Sequence, residues 1–302
     1  MTAGAAIRQG LSTARRVRSA VWPLFLINLG LAALATLPIY QGIMRFTSHS
    51  RVSRELAQAF SFDWLTDFSF NNPGSLYRYS SLIGYVGLLA ILVNAVLAGG
   101  ILPRFRAPEQ QYSLGSFFRD SAHYACRLLR LMVIGLVCYW LVFKLVNQKL
   151  GDAVSRWTRD SMDDRSAFLG HLGVTLLVLL GLAFINLVMD YARVKLVLEE
   201  GSSALEAFLG SLGFSLGRLR KAATVYLFPS LCGLALLGIY HLIVPWHLIN
   251  APTTAAGSWL ARSHEPAILA LLFVIQQAVM FGRYWFRVAT WAGEWAYYSD
   301  PQ

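Results

Sequence analysis

The side chains that could do chemistry are few and scattered. Gly213 to Gly217 reads GFSLG, which fits the G-x-S-x-G frame of a nucleophile elbow with Ser215 in the nucleophile's place. That frame needs a strand–turn–helix junction. Ser215 falls inside a helical pattern, so the match is read as chance. The six histidines (His49, His123, His171, His241, His247 and His264) form no i,i+4 pair and no Cys/His set at zinc spacing. The three cysteines, Cys126, Cys138 and Cys232, each lie in or beside an apolar run and suggest neither a disulfide framework nor a metal cluster. Asp160, Asp163 and Asp164 stand together beside Arg165, but without calcium-loop spacing, and read as a solvated loop. A G-x-x-x-x-G-K phosphate loop is missing. These residues imply no catalytic group, no cofactor and no metal, and so a protein that is not an enzyme.

A second set of polar residues sits where polarity is costly. Asn28, Asn94, Asn186, Gln276 and Gln277 lie within long apolar runs, and Asp190 lies at the end of one. In hydrocarbon such groups face other helices. Two roles fit: hydrogen bonding between helices, or a polar pathway. Asn186 and Asp190 share a helix face, and Arg193 or Lys195 offers Asp190 an ion-pair partner. Gly87, Ala90, Asn94 and Ala98 make a small face with a polar centre.

The elements that must position these residues follow from composition. Hydrophobic residues make up 56% of the 302 residues and charged ones 14%, against about 25% charged in ordinary soluble domains. Mean hydropathy is +0.50. That excludes a disordered chain and disfavours a soluble enzyme. A membrane-spanning helix needs about 20 apolar residues. Runs near 21–40, 81–102, 128–147, 172–190, 223–246 and 266–285 qualify. The alternation of a β-barrel is missing, and backbone groups in lipid must be satisfied within each segment, so the runs are helices. The fold expected is all-α: a polytopic membrane helix bundle of six transmembrane helices with amphipathic surface helices, one membrane domain over 1–302. The first run has the basic flank and Ala-rich end of a signal peptide, but it is long for one and is read as a retained span. Pro229 should kink the fifth span.

Basic residues set the orientation. With the N-terminus cytoplasmic, the inner segments hold the larger share of the 26 Lys and Arg, and acidic residues divide evenly. Both termini are therefore placed in the cytoplasm, with the chain in a bacterial inner membrane. The basic segment 1–20 is expected at the inner surface, in contact with anionic inner-leaflet lipid. The charge is spread over membrane flanks, which argues against nucleic acid as a partner. A membrane-protein partner or a second copy of the chain stays open. In the outer loop, 50–68 (SRVSRELAQAFSFDWLTDF) reads as an amphipathic helix ending before the NNPG turn.

Two inner segments, 113–130 and 204–221, align without a gap. Phe117 meets Phe208, Arg127 meets Arg218, and Arg130 meets Lys221. Leu205, Phe208, Leu209, Leu212, Leu216 and Leu219 form one helical face. Each segment is read as a helix lying at the membrane surface before its basic end turns into the next span. The tail 286–302 follows Trp285 and carries Trp291 and Trp295 among tyrosines, which marks an aromatic interfacial anchor. Phe117, Phe208, Arg127, Arg218, Trp285, Trp291 and Trp295 are thus the candidate lipid-interface residues.

DYARVKLVLEEGSSALEAFLGSL (190–212) carries Asp190, Ala192, Arg193, Glu200, Gly201, Ser203, Ala207 and Ser211. This run resembles a segment of uncharacterised bacterial inner-membrane proteins. More distantly it resembles the membrane domain attached to some glycerophosphodiester phosphodiesterases. The resemblance implies a six-span helical membrane domain. The catalytic barrel of those enzymes has no counterpart in the sequence, so no catalytic residue carries over. The function expected is non-enzymatic, transport-like or lipid-handling, and the alternative is a membrane anchor or scaffold for a protein assembly.

Overall fold

The computed structural model describes residues 1–47, 62–109, 113–159, 164–243 and 266–300. The all-α expectation holds: helix makes up 92% of the described residues, and no strand occurs among them. Ten α-helices occur among the described residues. They are α1 (Ala3–Arg16), α2 (Val21–Thr47), α3 (Phe62–Asn71), α4 (Ser75–Ile101), α5 (Leu114–Val142), α6 (Gly151–Trp157), α7 (Asp164–Leu198), α8 (Ala204–Gly217), α9 (Leu219–Ile243) and α10 (Pro266–Ser299). The described part of the polar stretch 148–169, which holds the acidic cluster expected as a solvated loop, is largely helical: a π-helical stretch, Phe143–Leu150, carries α5 into α6, and α7 begins at Asp164. Asp160 and Asp163, the histidines at 49, 247 and 264, and most of the outer-loop helix lie outside the described residues.

Among the described residues, five helical stretches are long and apolar enough to cross a membrane: Arg18–Phe46, Ser75–Phe105, Leu114–Trp157, Arg165–Leu198 and Leu219–Leu242. The sixth expected span, 266–285, lies within α10 and is not one of the five.

The chain forms two compact units, one of Met1–Val17, Ala95–Pro229 and Val288–Gln302, the other of Arg18–Asn94 and Ser230–Arg287. The boundary on α9 falls at Pro229, which lies inside that helix.

The first unit contains a long antiparallel hairpin. Gly135 faces the Met189 side chain, Val142 faces Gly181, and Val154 faces Gly170, so the contacts step in opposite directions along α5–α6 and α7. Its core gathers Ala6, Leu187, Tyr191, Ala222, Val225 and Tyr297 from α1, α7, α9 and α10. Helix α1, part of the basic segment expected at the inner surface, has two faces: Ala6, Gly10 and Ala14, four residues apart, are buried, while Arg8, Arg15 and Arg16 stay exposed. Small residues at helical spacing let α1 approach closely. Thr2 caps it by accepting a hydrogen bond from the Ala5 amide at 3.3 Å.

The second unit pairs α2 with α4 and α9 with α10. Gly233 packs on Phe286 and Leu236 on Gly282, again antiparallel. Phe25 sits among Trp22, Phe281 and Tyr284, with its ring centroid 5.6 Å from that of Phe281. The edge-to-face geometry suits the aromatic quadrupoles.

Candidate functional site

A densely hydrogen-bonded polar region of the first unit is the corner between α7 and α8. The apolar face of α7 ends at Leu198, and the chain turns at Glu200, whose φ of 53° is the one positive value at a non-glycine residue among the described residues. A side chain in that conformation costs about 1–3 kcal/mol and persists only when its surroundings hold it. Here they do. Arg106 donates one hydrogen bond to Glu200 Oε1 at 2.7 Å and two more to the carbonyls of Val197 and Leu198, at 2.7 and 2.8 Å. Arg127 donates to the Glu200 carbonyl at 3.2 Å. The last carbonyls of α7, orphaned by the end of the helix, thus receive a guanidinium. Arg106 also stands 6.0 Å from the centre of the Trp295 ring. Its hydrogen bond and positive charge hold the Glu200 carboxyl below its ordinary range.

After the corner, Ser203 caps α8, accepting from the Glu206 amide at 3.2 Å in a Ser-x-x-Glu box. Helix α8 turns its small residues inward: Ala204, Ala207, Ser211 and Ser215 are buried. The Ser211 hydroxyl donates to the Val188 carbonyl of α7 at 3.2 Å. Leu205, Leu209 and Leu216 point outward at 57%, 55% and 57% exposure. The leucine face read from the sequence is therefore the outer face, with Phe208 and Leu212 half-buried at its edge. Ser215 is fully buried on the packed face of a helix, without the strand a nucleophile elbow needs. The aligned segment 113–130 differs: it is the continuous first half of α5, whereas α8 ends at Gly217 before α9 begins.

Beside the corner lies a pocket of about 380 Å³ lined by Arg104, Arg106 and Arg119 with Ser113, Ser116 and Asp120. Arg104 comes from the turn Leu102–Phe105 and is largely buried; its guanidinium contacts the Ser116 hydroxyl. Arg106 is matched by Glu200 at 2.7 Å and Arg119 by Asp120 at 3.9 Å, so three guanidiniums against two carboxylates leave this wall with a positive excess, and planar forks of donors suit phosphate or carboxylate oxygens.

The other predicted residues have defined places. Asp190 is 1% exposed and pairs with Arg193 at 2.6 Å, not with Lys195. Lys195 instead approaches Glu199 at 3.8 Å. Asn186 Oδ1 accepts from the Tyr139 hydroxyl at 2.7 Å, bridging the hairpin in the first unit. In the second unit, Asn28 and Asn94 form a reciprocal pair: each amide donates to the other's oxygen, at 2.9 and 2.8 Å, and to its own helix four residues back. Gly87 is exposed, so the small face of α4 packs only over its later part. Gln276 is exposed and Gln277 half-buried on α10.

Among the lipid-interface candidates, Arg127, Arg218, Phe208 and Trp285 are half-buried, and Arg218 stands 5.3 Å from the Phe214 ring. Phe117, Trp291 and Trp295 lie inside the protein instead. The reason is that α10 runs unbroken through the expected tail and packs Val288 to Tyr297 in the core of the first unit. Tyr298 donates to Glu199 at 3.1 Å, and burial, with the Glu199 charge next, raises its hydroxyl above its ordinary range.

Sequence reasoning passed over Glu294, which is fully buried and within electrostatic reach of Tyr191. A lone acid in the apolar and aromatic run VATWAGEWAYY was the available signal. It also passed over Arg104 and Arg106, read only as topology signals. Among the described residues no group of three or more His, Cys, Asp or Glu could hold a metal ion. Comparisons with protein-family models, with curated proteins and with solved structures find no match for this chain.

Proposed function

We propose that this chain is a non-enzymatic, six-span protein of the bacterial cytoplasmic membrane, with both termini in the cytoplasm, and that it handles anionic lipid. The carrying observation is the α7–α8 corner. There an arginine-lined pocket adjoins a helix whose leucines point outward, which pairs headgroup chemistry with an apolar surface. The likeness of 190–212 to the membrane domain of some glycerophosphodiester phosphodiesterases points the same way.

The asparagine pairs favour this reading over transport. Asn28, Asn94 and Asn186 spend their amides on other protein groups, as packing residues do. The scaffold reading keeps one specific support, the exposed leucine face of α8, which a protein partner could cover as well as lipid.

Two experiments test the proposal. Reporter fusions after Gln302 and within 148–169 should show opposite sidedness; an external C-terminus contradicts six spans. In nanodiscs, the melting temperature should rise as phosphatidylglycerol replaces phosphatidylcholine, because a ligand that binds only the folded state stabilises it. A melting temperature independent of phosphatidylglycerol contradicts lipid handling.

A further inference from the structure

The second unit holds a different pocket, at the end of the α2–α4 pair. Gly42, Arg45 and Phe46 of α2, Phe68 of α3, and Asn72, Ser75, Arg78 and Tyr79 line a pocket of about 420 Å³. Three features set its chemistry. Two arginines reach it from two helices, and among the described residues no acidic side chain lines it. The Ser75 hydroxyl, 2% exposed, has no hydrogen-bond partner among the described residues. A buried hydroxyl left without a partner is costly. The first turn of α4 begins at Ser75, so the positive end of a 27-residue helix adds to the arginines.

The walls are aromatic. Phe68 meets Phe46 edge to face at 5.2 Å and stacks with Tyr79 at 6.3 Å. A Cβ on Gly42 would run into the Tyr79 hydroxyl, so that close approach fixes where the hydroxyl stands. The Asn72 amide donates to the Phe68 carbonyl at 3.2 Å, which orients its side chain at the rim.

The level of the pocket is also informative. Asn28 bonds Asn94 in mid-helix, and Gly42 meets Tyr79 farther along the same antiparallel pair. Gly42 is 14 residues beyond Asn28, which places the pocket about 21 Å along the helix axis. Arg18 and Arg45, at the two ends of the first apolar stretch, stand about 40 Å apart along the chain axis, which is the thickness of a bilayer including its headgroups.

We infer that this pocket binds a phosphate group, held by Arg45 and Arg78 with the Ser75 and Tyr79 hydroxyls as further donors, with an organic substituent resting on Phe46 and Phe68. Arginine forks match the oxygens of phosphate in pairs, where lysine would act as a point charge. A volume of about 420 Å³ exceeds what phosphate alone fills and suits a small organic ligand. The phosphate can come from a lipid headgroup or from a soluble phosphate ester, and the site chemistry is the same for both. This inference goes beyond the proposed lipid handling, which rests on residues of the first unit.

The test uses the full chain in non-ionic detergent, titrated calorimetrically with two probes in parallel: inorganic phosphate, and dihexanoylphosphatidylglycerol below its micellar concentration. Both titrations are run in an Arg119→Gln background, which removes an arginine of the first-unit pocket. Saturable binding of either probe, weakened at least about tenfold by Arg78→Gln, is the expected result. Phosphate binding by itself assigns a soluble ester; binding of the lipid only assigns a headgroup. If Arg78→Gln lowers the melting temperature, Tyr79→Phe serves as the second variant and should weaken binding while the fold is kept. Absence of saturable binding of both probes, or binding unaffected by the variant that keeps its melting temperature, overturns the inference. Such a failure would leave the phosphatidylglycerol response of the otherwise unaltered chain standing, so the two readings fail separately.

Discussion

Gly10 of α1 and Gly293 of α10 touch through their backbones: a Cβ on Gly10 would lie 2.6 Å from both the Cα and the N of Gly293. Backbone cannot swing aside as a flexible side chain can. Gly10→Ala should therefore destabilise the first unit by about 1–3 kcal/mol, the usual cost of overpacking. The reverse change behaves differently. A Cβ on Gly293 meets only Val225 at 3.4 Å and the Ala6 carbonyl at 3.6 Å. Gly293→Ala should be neutral or mildly stabilising, since alanine is favoured over glycine in a helix by about 1 kcal/mol. Thermal melting in detergent distinguishes the two; equal losses would contradict the close α1–α10 contact.

The Arg106–Glu200 pair predicts a pH response. Its hydrogen bond and charge lower the folded value of Glu200 below its ordinary 4.5. A depressed carboxyl contributes stability above its unfolded value, and that contribution is lost as pH falls through the folded value. Melting curves between pH 6 and pH 3, on the scale of about one pH step per point, should show an acid-side loss below about 4.5 that Glu200→Gln reduces. An unchanged acid limb in the variant would contradict the pair's contribution. The effect should be small and salt-sensitive, because the pair is exposed.

The two faces of α8 should respond oppositely. Leu205→Ser, Leu209→Ser and Leu216→Ser alter the outer face, so melting in detergent should change little while membrane association of 204–217 loosens. Ala207→Leu and Ser211→Leu force bulk against α7 and should cost about 1–3 kcal/mol each. Hydrogen exchange of this segment in nanodiscs reads the first set, and melting reads the second. Destabilisation in detergent by the serine set would place the leucines in the core instead.

Replacing the Asn28–Asn94 pair separates packing from pathway. Asn94→Leu leaves the Asn28 amide with only the Leu24 carbonyl to donate to, whereas Asn28→Leu with Asn94→Leu removes both side-chain amides. Membrane hydrogen bonds average about 0.6 kcal/mol, so the double variant should remain folded, lose no more than the single, and complement a deletion phenotype. A folded double variant that fails to complement would restore the polar-pathway reading.

Much of this architecture was legible. Apolar runs mark helices in any setting, and the outward leucines of α8 could be read from spacing. The location of Trp291 and Trp295 could not, because an aromatic run has the same sequence pattern at a lipid interface and in a protein core. The same ambiguity hid α1: Ala6, Gly10 and Ala14 make a packing face only when a partner backbone such as Gly293 arrives. Asp190, Arg193, Glu200 and Ser203 stood out as a motif, but their roles depend on geometry. Arg106, distant in sequence from Glu200, is what makes the corner, and no local pattern predicts it. The Asn28–Asn94 pairing likewise needs the register of two helices.

Native mass spectrometry of the protein released from mixed micelles of phosphatidylglycerol and phosphatidylcholine tests the central claim most directly. Lipid handling at the α7–α8 corner predicts retained phosphatidylglycerol in excess of phosphatidylcholine, with the excess falling when Arg119→Gln and Arg127→Gln are combined in a protein of unchanged melting temperature. Equal retention of the two lipids, or an excess that survives both substitutions, would contradict it.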